Sequence, residues 1–174
     1  MGAQLIEQLR SQRGMTLIEV SIATGLLLVA MVGLLSMAAI ATTYTENHGH
    51  LEARTTEYAQ DKMEQLLALK YGDTSSNTAV FPATSAGGTG LAVGGSSNPE
   101  APAAGYIDWL DVNGNLLAVS GVTAPAGWFY KRVWQVAPAG ANLEQVTVTT
   151  IVAFSMSRTE LPRATVAAVK TFPF

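Results

Sequence analysis

Arg13-Gly14-Met15-Thr16-Leu17-Ile18-Glu19 leads into a stretch, Val20 to Thr45, with neither a charge nor a proline, built largely from Leu, Val, Ile, Met and Ala. Its apolar part, Val20 to Ala41, is 22 residues long. At about 1.5 Å of rise per residue, a helix over it measures about 33 Å, enough to cross a hydrocarbon core of about 30 Å. Arg10 and Arg13 precede the run. By the positive-inside rule they hold the N-terminus in the cytoplasm and send the rest of the chain out. One carboxylate, Glu19, stands at the head of the run, where an ionisable group is costly and commonly functional.

Three readings compete for this stretch. A secretory signal cut behind a small-residue site such as Ala39-Ile40-Ala41 would have an apolar core well beyond the usual length of about 7–15 residues, with Glu19 at its start. An uncleaved single-pass anchor leaves Glu19 without a role. The third reading rests on a resemblance: Gly14-Met15-Thr16-Leu17-Ile18-Glu19-Val20 resembles the processing site of type IV pilins and their relatives. The resemblance implies cleavage by a prepilin peptidase between Gly14 and Met15 and methylation of the new Met15 amine. Met15 stands where members of the family more often carry Phe. Removal of residues 1–14, a leader with two arginines and one glutamate, changes the formal charge from −3 to −4.

The resemblance also implies a role for the carboxylate. A freed amine has an ordinary pKa of about 8 and is protonated at neutral pH. In a bundle of staggered parallel helices, Glu19 of one subunit meets the Met15 amine of the next, and two charges costly to bury alone neutralise each other. Such a pair penalises a wrong register more than it stabilises the right one. Glu19 is the expected assembly residue. Gly25 and Gly33, with Ala23, Ala30 and Ser36, let helices approach closely. Many major pilins have a proline in this segment; its absence here favours a minor pilin or pseudopilin.

Among 174 residues only 13% are charged, and the mean hydropathy is +0.24. A weakly acidic chain with scattered basic residues argues against a nucleic-acid partner. Cysteine is absent, which excludes disulfides, thiolate metal sites and cysteine nucleophiles. Beyond the apolar run, helical periodicity continues to Leu69. Leu51, Thr55, Tyr58, Ala59, Met63, Leu66 and Leu69 fall on one face, and Glu46, Glu52, Glu57, Asp61, Gln65 and Lys70 mostly on the other. One helix from about Met15 to Lys70 follows, ended by Tyr71-Gly72. Residues 15–45 form its hydrophobic half and 46–71 its amphipathic half. His48 and His50 point to different sides of a helix and suit no zinc site.

Residues 72–105, rich in Gly, Ser, Thr, Ala and Pro, read as a long surface excursion with a short extended piece near Ala79-Val80-Phe81. Residues 106–174 read as an antiparallel sheet. Tyr106–Val112 and Asn115–Val119 flank Asn113-Gly114, which suits a type I′ hairpin turn. Asp111, Asn113 and Asn115 invite a calcium-loop reading, but the glycine spacing is wrong and no downstream Glu is in place. Trp128–Val136 is a strand, Pro138-Ala139-Gly140 a turn, Leu143–Phe154 and Ala164–Phe172 further strands, with Tyr130, Trp134 and Phe154 filling the helix–sheet interface. Tyr58–Leu66 and Tyr130–Val136 are similar to segments of PilV-type minor pilins, the former also to I-type pseudopilins.

The expected fold is α+β, a type IV pilin fold: a long N-terminal helix packed on a C-terminal antiparallel sheet. No Ser/His/Asp arrangement, phosphate loop or metal cluster is present, so the chain is expected to be a substrate of processing enzymes rather than an enzyme, with no cofactor. Asp108 and Asp111 point to opposite faces of a strand and cannot pair as acid and base. The leading expectation is a minor pilin that assembles, primes or decorates a type IV pilus for motility, adhesion or DNA uptake. Its implied partners are the prepilin peptidase, other pilin or pseudopilin subunits and the inner-membrane assembly platform. It would begin in the cytoplasmic membrane and move into the filament. The alternatives are a pseudopilin of a type II secretion or competence system, and a membrane-anchored extracytoplasmic binding module that works through the 72–105 loop.

Overall fold

The computed structural model describes residues 15–80, 82–117, 121–154 and 161–172. The chain divides into two compact units, Met1–Thr43 and Tyr44–Phe174. A single helix, α1 (Leu17–Ala68), has its first part in one unit and its second in the other. It stops two residues short of the expected Lys70, and Gly72, with φ of 73°, is not its cap but the third residue of a following turn in which Asp73 N donates to Lys70 O at 3.1 Å.

In the second unit, Thr55, Tyr58, Ala59, Lys62, Met63 and Leu66 of α1 are buried. Apart from Lys62, this is the stripe that the periodicity marks, and Glu46, Glu52, Glu57, Asp61 and Lys70 are exposed opposite it. The stripe lies on an antiparallel sheet of six strands: β1 (Gly94–Gly95), β2 (Ile107–Leu110), β3 (Leu116–Leu117), β4 (Tyr130–Gly140), β5 (Leu143–Val152) and β6 (Arg163–Thr171). The order is β3-β2-β4-β5-β6, with β1 beside β2 on the same edge of β4. The fold is therefore α+β.

Strand alternation sets the core. Tyr130, Arg132, Trp134 and Val136 of β4 and Val146, Val148, Thr150 and Val152 of β5 are all buried and share the parity that faces α1. Ala59, Met63 and Leu66 pack with Trp134, Val136, Val146 and Val148, while Tyr58 packs with Tyr130, Leu110 and Val152. The opposite face is not bare. Lys131 Nζ donates to Pro99 O (2.6 Å) and Ser97 Oγ to Gln135 Oε1 (3.4 Å), so residues 97–99 lie against it. Trp109 and Trp128 stack edge to face there beside Val133.

Several expectations need correction. The 72–105 segment is not simply a surface excursion. Leu91 is 1% exposed in the main core, and Gly94–Gly95 pairs with Gln135 and Val136 as strand β1. No strand covers 79–80; the local pairing is an isolated bridge, Asn77↔Thr84. The β2–β3 turn is not type I′. Among the described residues Asn142 is the one non-glycine with positive φ, so Asn113 does not adopt the conformation that type I′ demands. Instead Gly114 N donates to Asp111 O, Asp111 N donates to Asn115 O, and Gly114 alone turns left-handed (φ 84°), the pattern of a three-residue loop. Pro138-Ala139-Gly140 belongs to β4, with a register irregularity between Pro138 and Gly140 that accommodates the proline; the chain reverses at Ala141-Asn142. Phe154 lies beyond the end of β5 and is 65% exposed, so it does not fill the interface.

Candidate functional site

Two places concentrate unusual physical chemistry. The first is the head of α1. Thr16 caps the helix: its Oγ1 accepts from Glu19 N at 3.3 Å, and its carbonyl accepts the first helical bond from Val20 N at 3.1 Å. Thr-x-x-Glu is the sequence of a capping box, and Glu19 also lies where the helix dipole favours a negative charge. Thr16 thus gives the motif a local role that the sequence reading left out. Met15 is 67% exposed, and none of the ion pairs among the described residues involves Glu19. Arg10, Arg13 and Gly14 lie outside the described residues, so the proposed cut and the orientation charges have no geometry here.

From Met15 to Glu46 every residue is exposed, including Leu17, Leu28, Val29, Leu34, Leu35 and Met37. An 18-residue window of this segment reaches a mean hydropathy of 2.3 with none of it buried. By length and composition it can cross a membrane. Four of its hydroxyls are satisfied within the helix: Ser21, Ser36, Thr42 and Thr43 each donate to the carbonyl four residues back, at 2.8 to 3.1 Å. That arrangement keeps a helix compatible with hydrocarbon, where an unsatisfied polar group is costly. A Cβ added at Gly25 or Gly33 meets nothing within 4 Å, so both open outward onto the uncovered surface. His48 pairs with Glu52 at 3.3 Å, one turn further along the helix.

The second place is a buried charge cluster under α1, which sequence reasoning missed. Asp108 and Arg132 are directly opposite on β2 and β4. Asp108 Oδ2 accepts from both Lys62 Nζ and Arg132 Nη2, each at 2.8 Å. Lys62 and Asp108 are 0% exposed and Arg132 3%. Lys62 Nζ also donates to Thr78 O (2.8 Å) and Thr78 Oγ1 (2.9 Å), and lies 4.1 Å from the Trp134 ring centroid. Arg132 Nη1 donates to Asp61 Oδ2 at 2.7 Å, which leads the network to the surface. Burial lowers the Lys62 pKa from 10.5 to about 8; Asp108 counteracts the shift and the like charge of Arg132 adds to it. Parity could have revealed the cluster. Lys62 stands in the buried stripe, and Asp108 and Arg132 have the core-facing parity of their strands.

Lys62 Nζ, Asp108 Oδ2 and the terminal nitrogens of Arg132 engage one another, Thr78 and Asp61, while Asp108 Oδ1 and Arg132 Nε are buried without a partner; the cluster clamps the helix, the loop and two strands together. Asp111 is likewise committed to its turn: Oδ1 accepts from Asn113 N and Asn115 N, both at 2.8 Å, and Oδ2 from Asn115 Nδ2 at 2.9 Å. These bonds, that of the Asn115 side chain foremost, hold its carboxyl below the usual range. Asp73 plays the same part at the start of the loop, with Ser76 Oγ, Ser75 N and Ser76 N as donors. Comparison of the chain with family models, with curated proteins and with solved structures gave no match.

Proposed function

We propose that the chain is a type IV pilin-like filament subunit, closest in character to a minor pilin, matured by cleavage between Gly14 and Met15. The observation that carries this reading is a single helix, Leu17–Ala68, used in two ways. Its first half is apolar and wholly uncovered, and its second half is the packing partner of an antiparallel sheet. An uncovered apolar helix of this length needs an apolar surrounding, which a bilayer supplies first and a bundle of like helices can supply afterwards. Glu19 fits both settings. Capped at the helix N-terminus it is tolerated at a membrane boundary, and in a staggered bundle it receives the amine of a neighbouring Met15.

Two measurements test the proposal. Mass spectrometry of the mature protein should find Met15 methylated at the N-terminus; an intact leader, or a start near Thr42, overturns it. Glu19→Ala should leave the chain in the membrane but lower its recovery in sheared surface filaments at least tenfold. Undiminished incorporation removes the assembly role and leaves a plain anchor for a binding domain.

A further inference from the structure

The sheet ends on β6, nine residues long, and no described strand pairs with its outer edge. Phe172 N donates to Asn142 O, which fixes the alternation of the β5–β6 ladder: residues 164, 166, 168 and 170 bond inward. Arg163, Thr165, Ala167, Val169 and Thr171 therefore turn their N–H and C=O groups outward. Natural sheets blunt such an edge with prolines, bulges, guarding charges or a cover. β6 has no proline and no register shift, and its one interior charge is diverted, because Lys170 Nζ donates to Leu67 O. Ala164, Val166 and Ala168 pack against the main core from this strand but stay half-buried.

We infer that the outer edge of β6 pairs antiparallel with β6 of a second copy of this chain, about a two-fold axis at Ala167. The occupant follows from the register. With the axis at Ala167, all five outward-bonding residues fall in hydrogen-bonded pairs: Ala167 with itself, Thr165 with Val169, and Arg163 with Thr171. On the helix-facing side Val166 meets Ala168, and Ala164 meets Lys170. No like charges oppose each other, small side chains lie on the axis, and each copy covers the half-buried apolar residues of the other. Among the described residues, the far edge of the sheet, β1 and β3, offers strands of only two residues, too short to receive a nine-residue partner. The contact therefore closes at two copies instead of propagating. Strand pairing alone buries less than the roughly 1,200 Å² of a durable interface, so the dimer is concentration-dependent.

Because the chain has no cysteine, one introduced thiol reads the contact cleanly. Full-length protein in detergent micelles carrying Ala167→Cys should form a covalent dimer under mild oxidation at least tenfold faster than protein carrying Val112→Cys, on an exposed turn away from β6. Thr165→Lys with Val169→Lys sets like charges directly opposite and should abolish the concentration-dependent dimer in sedimentation. Thr165→Lys with Val169→Glu alters the same two exposed positions but sets opposite charges in register, and should restore it. Equal cross-linking at the two cysteine sites, or a dimer indifferent to both charge patterns, overturns the inference. The second result would assign association to the apolar helix. Neither readout depends on cleavage at Gly14.

Discussion

Replacing Asp108 by Asn tests the buried cluster most directly. The substitution preserves shape and removes one charge. In the native Tyr44–Phe174 unit, the head domain, Asp108 Oδ2 is the shared acceptor of Lys62 and Arg132, both 2.8 Å away and both buried. Without it two cations face each other under α1. Arg132 keeps Asp61, which is 52% exposed, but Lys62 keeps only Thr78 and the Trp134 ring. Lys62 already has its pKa lowered to about 8 with Asp108 present, and loss of that attraction lowers it further, which favours release of the proton. Neutralisation caps the cost but does not abolish it. Removing one partner of a buried pair costs about 3–5 kcal/mol, a large part of the roughly 5–15 kcal/mol that holds a domain. The melting midpoint of the head should fall by about 10–20 °C. All three tryptophans lie in the head, so their fluorescence in micelles follows its unfolding without interference from the apolar segment. Asp61→Asn, at the exposed end of the same network, should cost about 1 kcal/mol or less. If Asp108→Asn melts within about 1 kcal/mol of the native protein at pH 7, the cluster is not a clamp and the reasoning fails.

The remaining predictions concern pH, a turn and the loop. The folded pKa of Lys62 is depressed, so between about pH 8 and 10 the unfolded chain holds a proton that the folded one has released; stability should rise with pH across that window, by up to about 3 kcal/mol, and be flat below it. Urea midpoints against pH measure this, and Lys62→Met should remove most of the slope, leaving the smaller contributions of Lys131 and Lys170, which are lowered in the same sense. Gly114→Ala meets both a positive φ of 84° and the Tyr58 hydroxyl, so it should cost about 1–3 kcal/mol in chemical denaturation. Leu91→Ala should cost about 2–5 kcal/mol and sharply raise proteolysis within residues 73–93, because Leu91 anchors the loop to the core; an unchanged midpoint would return the loop to a surface role.

Much of this architecture is legible in the sequence where one physical signal dominates. The uncharged run and the stripe from Leu51 to Leu69 predict α1 to within two residues at each end, because helical periodicity over so long a stretch has no rival. The strands are located, but their ends are not. Pro138 looks like a stop, and only tertiary pairing reveals that an irregularity in β4 absorbs it. Asn113-Gly114 identifies the hairpin but not its turn, since the Asp111 carboxylate, with three backbone or side-chain donors to satisfy, selects the longer loop. The buried cluster escapes a reading that assigns charge to the surface; helix and strand parity place Lys62, Asp108 and Arg132 each on a core-facing position, and only strand pairing brings Asp108 and Arg132 opposite each other. Of the expected site residues, Met15 and Glu19 have a described setting; Arg10, Arg13 and Gly14 stand on sequence alone.

The clamp also orders events in time. Asp61 and Arg132 are 71 positions apart along the chain, and Lys62 and Thr78 only 16. Closing the short loop is entropically cheap, closing the long one less so, and the long one must wait for β4 to exist at all. A chain emerging from its N-terminus can gather the segment after Gly72 onto α1 early. Its sheet-facing stripe stays uncovered until some seventy further residues have followed. Arg132 is then the late latch. A chain that ends before it can begin to fold its head but cannot finish.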